Sequence, residues 1–264
     1  MISLQNISIN CKKTEPLIIK FIQNQVKKAG LNGAIVAVSG GIDSAVTLHI
    51  TTKALGQNYV TPITMPERDV TPVSDIMDVM LHCKQLKLTC NTVDITPILH
   101  VIQENLEKFN PEDKISSGNI RSRLRMLISY YYANVEHKMV IGTSNKTELL
   151  TGFFTKYGDG GVDLMPLGDL YKYNIKQLAE YLKIPKNIIQ KSPSPGFYPG
   201  HTDEKELGCD YDTIDLILYL WEKGYTKKEI AIDLQLNMIT VNNITDRIKR
   251  NEHKRQLPLI LRLS

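Results

Sequence analysis

The stretch Ala34-Ile35-Val36-Ala37-Val38-Ser39-Gly40-Gly41-Ile42-Asp43-Ser44-Ala45-Val46 decides how the chain is read. Ala34 to Val38 is short and wholly apolar, as expected of a strand buried on both faces of a parallel sheet, and a helix is expected from Ser44 to Leu55. A glycine-rich turn between such a strand and helix lies at the carboxyl edge, where open α/β sheets take ligands. Gly40 and Gly41 allow restricted backbone conformations and close approach, and successive amides with the helix N-terminus form an anion-binding concavity. Ser39 and Ser44 add hydroxyl donors. Asp43 repels a phosphate unless a divalent cation stands between them, so the turn predicts a polyphosphate with Mg2+. The plainer reading makes Asp43 a helix cap, but a cap needs one such residue and not the whole hexapeptide.

Outward from this turn the same rhythm continues. Before it, residues 15–29 place Leu17, Ile18, Phe21, Ile22 and Val26 at helical spacing, and Gly30 with Asn32-Gly33 ends that helix. After it, strands are expected near 59–64, 88–93 and 138–141, with helices over 71–86, 96–109, 118–134 and 145–150. Strands alternating with helices imply an α/β fold with a doubly wound parallel sheet, because parallel strands need crossover connections. Two glycine- and proline-rich stretches, 151–168 and 191–208, interrupt the rhythm, and loops of that length in a compact domain carry function or lack order. Beyond Tyr211 the pattern is helical and ends in a basic tail, 247–255.

The composition sets bounds. The chain has 264 residues, 42% of them apolar and 23% charged, which suits a globular α/β protein. Its net charge of +4 fits either polyanionic small molecules or weak nucleic-acid binding and does not choose between them. The four cysteines form neither a C-x-x-C pair nor a histidine-rich cluster, so reduced thiols in a cytoplasmic protein are expected. No run approaches the roughly 18 apolar residues of a membrane span.

The turn lacks the lysine of G-x-x-x-x-G-K-[ST] and the spacing of G-x-G-x-x-G. It resembles S-G-G-x-D-S, the signature of the PP-loop ATP pyrophosphatases, which implies ATP cleaved between its α- and β-phosphates to adenylate a substrate oxygen. Three further blocks narrow the resemblance: residues 118–126 (GNIRSRLRM), 141–148 (IGTSNKTE) and 151–161 (TGFFTKYGDGG). With Thr202-Asp203-Glu204, Glu206-Leu207-Gly208, Tyr211 and His253-Lys254-Arg255, they resemble the ammonia-dependent NAD synthetase family over about residues 15–260. That family resemblance implies one NAD synthetase domain over 1–264 with an adenine-nucleotide hydrolase-like fold. The sheet core would span about 30–190 and the helical C-terminal part about 210–264. It implies a homodimer, with the dinucleotide at the subunit interface.

Carried over position by position, the resemblance makes Ala37, Val38, Ser39, Gly40, Gly41, Ile42, Asp43, Ser44, Thr143, Lys172 and Ser194 the ATP-binding residues. Asp43 and Glu148 are the implied Mg2+ ligands and, with Lys172, the implied catalytic set. Arg123, Lys156, Asp163, His253 and Lys254 are implied contacts of deamido-NAD+. Arg121 and Arg125 stay open between site and surface charge, and Tyr130 between substrate and helix packing. Residues 64–68 (TMPER) depart from the family pattern, which leaves the adenine contacts unassigned. The implied partners are deamido-NAD+, ATP and ammonia, with neither nucleic acid nor membrane. Glutamine-dependent relatives carry an N-terminal glutaminase domain, and about 30 residues precede the first strand here, so free ammonia is the expected nitrogen donor.

Two other readings compete. A tRNA-modifying ATP pyrophosphatase would share the loop but would bring catalytic cysteines, a zinc cluster or a larger basic domain. Residues 226–255 resemble a helix-turn-helix ending in a basic helix, the pattern of a DNA-binding module, though short helix pairs with exposed lysines are common.

Overall fold

The computed structural model describes residues 2–68, 70–191 and 206–263. Four parallel strands form one sheet: β1 (Ala34–Ala37), β2 (Val60–Thr64), β3 (Asn91–Thr92) and β4 (Met139–Ile141), in the order β3-β2-β1-β4. Ala34 stands in register with Val60 on one side and Met139 on the other. The chain steps outward from β1 to β3 and then crosses back to lay β4 beside β1, so the strand order reverses at β1, where such sheets open a ligand crevice.

Helices α1 (Cys11–Lys28), α2 (Ile42–Leu55), α3 (Val73–Gln85), α4 (Thr96–Asn105), α5 (Lys114–Glu136), α6 (Lys146–Thr151), α7 (Lys172–Tyr181) and α8 (Lys186–Ile189) surround the sheet. Strand alternation divides them between its faces. Ala34, Val36, Met139 and Ile141 pack with Ile22 of α1, Leu48 of α2, Val79 of α3, Ile175 of α7 and Ile188 of α8. Ile35, Ile63 and Val140 point the other way, onto Leu99 of α4 and Leu124 and Ile128 of α5. The sheet is therefore covered on both sides, which is why its central strand β1 and its neighbour β4 are apolar throughout.

Helices α9 (Tyr211–Glu222), α10 (Lys227–Asp233) and α11 (Met238–Arg250) build a separate apolar cluster around Ile214, Leu218, Ile230, Val241 and Ile244, joined by Ile7 and Tyr171. Each begins at a cap that the sequence states openly: Asp210, Thr226 and Asn237 accept from the amides of Thr213, Glu229 and Thr240.

Several element bounds change; helix α5, for one, begins at Lys114 instead of 118, because Asp113 caps it by accepting from the Ser116 amide. Helix α1 begins four residues before Glu15, because Asn10 caps it by accepting from the Lys13 amide; Pro16 lies inside the helix and deprives only the exposed Lys12 of a carbonyl partner. The third strand shrinks from 88–93 to Asn91–Thr92, because Lys87 turns to a φ of 57° and Leu88 donates back to the Cys83 carbonyl, closing α3. The helix expected over 96–109 ends at Asn105.

Candidate active site

Strand pairing runs one residue past β1, with the Val38 amide donating to the Ile63 carbonyl at 2.8 Å, and then the turn begins. Gly40 has a φ of +85°, and a Cβ there would stand 2.6 Å from the Asp75 carbonyl oxygen, so α3 presses against the turn where only glycine fits. The two serines tie it shut. Ser44 Oγ donates to the Gly41 carbonyl at 2.9 Å and accepts from the Ser39 amide at 3.2 Å, while Ser39 Oγ accepts from the Gly41 amide at 3.3 Å. Gly41 occupies the N-cap of α2 and brings no side-chain cap, which leaves the first amides of a 14-residue helix open to an anion. Lys191 approaches from another side, its ammonium 3.2 Å from the Gly40 carbonyl and 2.7 Å from Asp75, and also paired with Asp78.

Asp43 lies in the first turn of α2 but does not cap it. Its Oδ1 accepts from Asn145 Nδ2 at 2.9 Å, and its Oδ2 meets Lys172 Nζ at 2.5 Å. Glu148 reaches the same ammonium, 3.7 Å away. Local sequence fixes that position: Asn145 and Glu148 form a capping box at the start of α6, with the Glu148 amide donating to Asn145 Oδ1 at 3.0 Å and Glu148 Oε2 accepting from the Asn145 amide at 3.2 Å. Glu148 thus caps its helix with one oxygen and faces Lys172 with the other. Lys172, 2% exposed at the start of α7, also has its ammonium 4.9 Å from the Tyr211 ring centroid. A nearly buried ammonium needs such company, because desolvation without a counter-charge is costly.

Behind this group stands Asp215 of α9, fully buried, accepting from the Thr147 hydroxyl and, at 2.8 Å, from the Tyr173 amide. Burial pushes its carboxyl up to about 7, against the pull of those two donors.

The other predicted residues gather along the 152–171 loop. Arg123 Nη2 donates to the Lys156 carbonyl at 3.4 Å, and Lys156 Nζ to the His253 carbonyl at 2.6 Å, which brings these three positions together. Lys254 donates to the carbonyls of Gly152 and Phe154 at 2.8 and 2.9 Å, and burial lowers its pKa. Asp163 accepts from the Val140 amide and the Tyr130 hydroxyl, each at 2.8 Å, so Tyr130 reaches a predicted site residue instead of merely packing in its helix. Thr143 is half-buried just beyond β4. Ser194, with Thr202, Asp203 and Glu204, lies outside the described residues.

Arg121 and Arg125 are not surface charges. Arg121 grips the buried Glu67 with two bonds of 2.5 and 2.8 Å, and Arg125 donates to the Met65 carbonyl at 3.1 Å. Both fasten the loop leaving β2, the segment whose sequence departs from the family pattern. Sequence reasoning missed this pairing, along with Asn145, Thr147 and Asp215. Only Asn145 carried a local signal, the N-x-x-E of a capping box. The basic tail also turns inward: Arg255 donates to the carbonyls of Leu149 and Leu150 at 3.2 and 2.8 Å, and Arg247 meets Glu206 at 3.1 Å.

A doubly wound parallel sheet with an uncapped, glycine-rich helix start at its point of reversal, facing a buried lysine between two carboxylates, defines a nucleotide-binding α/β enzyme of the PP-loop class. The family model described as NAD synthase matches residues 16–258, and the chain belongs to that family. It is 42% identical over 247 residues to the NH(3)-dependent NAD(+) synthetase of Methanosarcina acetivorans, covering 94% of this chain and 96% of the relative. Among solved structures it superposes on the NMN synthetase from Francisella tularensis with a TM-score of 0.85, at 30% identity over 96% of this chain and 99% of the other. The NH3-dependent NAD synthetase from Campylobacter jejuni gives 0.81, also at 30% identity, over 96% and 100%.

Proposed function

We propose that the protein converts deamido-NAD+ to NAD+ with ammonia and ATP, releasing AMP and pyrophosphate. The observation that carries this reading is the convergence of Asp43, Lys172 and Glu148 at the carboxyl edge beside the open start of α2. Membership of a family whose relatives are named NH(3)-dependent NAD(+) synthetases supports the choice of substrate and nitrogen donor over a tRNA-modifying role. The inward-directed tail offers little to a DNA backbone.

A nicotinate carboxylate resists ammonia because it is anionic and has a poor leaving group. One carboxylate oxygen attacks the α-phosphorus of ATP as the bond to pyrophosphate breaks. Ammonia then adds to the acyl carbon, AMP leaves with the C–O electron pair, and the surplus proton is released. The amides of the first turn of α2 grip the polyphosphate, with Ser39 and Ser44 holding the turn in shape. Lys172 supplies a fixed positive charge as negative charge builds on the departing pyrophosphate.

Asp43 and Glu148 suit Mg2+, which takes one or two protein carboxylates together with phosphate and water oxygens. Among the described residues, no group of three or more His, Cys, Asp or Glu gathers into a metal cage. Magnesium held by this pair would neutralise phosphate charge. Arg123, Lys156 and the 253–254 turn are the proposed deamido-NAD+ contacts, with Asp163 beside Tyr130. Ala37, Val38 and Thr143, with Ser194, complete the proposed ATP set.

A homodimer is part of this reading. Leu127, Tyr131 and Val135 form an exposed apolar stripe along α5, spaced four residues apart. A cytoplasmic setting accords with Cys11, Cys83 and Cys90 standing as free thiols, and no described helix is long and apolar enough to cross a membrane.

Oxygen-18 placed in the nicotinate carboxylate tests the adenylation step. The label is expected in AMP after turnover; label in pyrophosphate, or label-free AMP alongside NAD+, contradicts it.

A further inference from the structure

We infer that Asp215 is a positioning residue for this site, holding Lys172 and Glu148 in place through Thr147 and the first amides of α7. The inference rests on the proposed function for the kinetic part of its test, but the geometry stands by itself.

Helix α7 starts at Lys172, and its N-cap residue, Tyr171, brings no hydrogen bond to the first amides. Such amides need partners, more so when buried. Here they find them on two other helices. The Lys172 amide donates to Thr147 Oγ1 at 3.0 Å, and the Tyr173 amide donates to Asp215 Oδ2 at 2.8 Å. The Thr147 hydroxyl, having accepted from Lys172, passes its own hydrogen to Asp215 Oδ1. One carboxyl group on α9 therefore closes the N-terminus of α7 from outside, and its ionised form also suits the helix dipole.

Thr147 is the residue before Glu148, so the same bond fixes the first turn of α6. Asp215 thus links the two helix starts that carry Glu148 and Lys172 and sets the side chains on either side of their gap. Tyr211, one turn earlier on α9, lies against the Lys172 ammonium. The C-terminal helices accordingly hold Lys172 at both ends, its amide by way of Thr147 and Asp215 and its ammonium by the ring. Asp215 and Thr147 are both fully buried, which removes the solvent that would otherwise replace a lost bond. The Thr147 hydroxyl and the Tyr173 amide both donate toward Asp215, one to each oxygen.

The test uses the full chain and the variants Asp215→Asn, Thr147→Val, Thr147→Ser and the double Asp215→Asn/Thr147→Val. Two readouts are taken: steady-state NAD+ and AMP formation, and the nitrogen-15 NMR signal of the Lys172 ammonium. Asp215→Asn and Thr147→Val are expected to lower kcat about ten- to a hundredfold, the range seen when residues supporting a charged site are removed, with KM for deamido-NAD+ within about twofold. Thr147→Ser keeps the hydroxyl and should restore turnover. The double variant should be no worse than the poorer single one, because both break one chain of bonds. The Lys172 signal should move in Thr147→Val and return in Thr147→Ser. A parental kcat in folded Thr147→Val, fully additive losses, or an unmoved Lys172 signal overturns the proposal. Should Asp215→Asn fail to fold, the Thr147 pair decides. An inactive parent protein contradicts the proposed function instead, and the Lys172 signal then decides the positioning role.

Discussion

Lys172 is 2% exposed, so the carboxylate nearest its ammonium, Asp43 at 2.5 Å, is an obligatory partner and not an ornament of a surface, while Glu148 stands further off at 3.7 Å. Glutamine can still serve the capping box at position 148, so Glu148→Gln should keep its melting temperature while losing AMP formation by about a hundredfold or more. Asp43→Asn should lose activity to a similar extent and also about 3 kcal/mol of stability, since the nearly buried ammonium then loses its nearest carboxylate, at 2.5 Å. Thermal melting and pyrophosphate release on the same preparations check both; near-parent turnover in either variant removes that residue from the site. At this scale the motif residues were legible because their chemistry needs them side by side in sequence. Asp215 was not, since a carboxylate inside the apolar run of α9 looks the same whether it faces water or two buried helix starts.

The elements were legible where periodicity and caps agree. Strands β1 and β4 were visible as apolar runs, β2 as a β-branched one, and α2, α5 and α6 as the segments following or preceding them. Helices α7 and α8 escaped notice, because they lie between two glycine- and proline-rich stretches and the first amides of α7 are satisfied from distant residues. The loop after β2 was illegible for a related reason: Glu67 and Arg121 are 54 residues apart, and only folding joins them. Their bidentate pair is nearly buried, with side chains 10% and 13% exposed. Arg121→Met should therefore cost about 3–5 kcal/mol by stranding Glu67, whereas adding Glu67→Leu should recover most of the loss. Denaturant unfolding of the single and double variants measures this; a single variant within about 0.5 kcal/mol of the parent contradicts the role given to the pair.

For the molecule as a whole, two consequences reach beyond the site. Burial, with His82 stacked 5.9 Å away, lowers the His49 pKa to about 4. The unfolded chain takes up this proton near 6.5 and the folded chain resists until about 4, so stability is lost as pH falls through that window. Asp215, raised to about 7, acts in the opposite sense over an overlapping range, so the comparison must be with a variant. His49→Leu should show a flatter fall in melting temperature between pH 6.5 and 4 than the parent; parallel curves contradict the assignment. The α5 stripe predicts that Tyr131→Asp shifts sedimentation from dimer to monomer, and a monomeric parent sinks the proposed assembly. The central claim is the reaction itself. Purified protein incubated with ATP, Mg2+, ammonium and deamido-NAD+ should form NAD+ and AMP in equal amounts, faster than with glutamine as nitrogen source or with nicotinate mononucleotide as acceptor. Absence of NAD+, ADP in place of AMP, or preference for the mononucleotide would contradict the account.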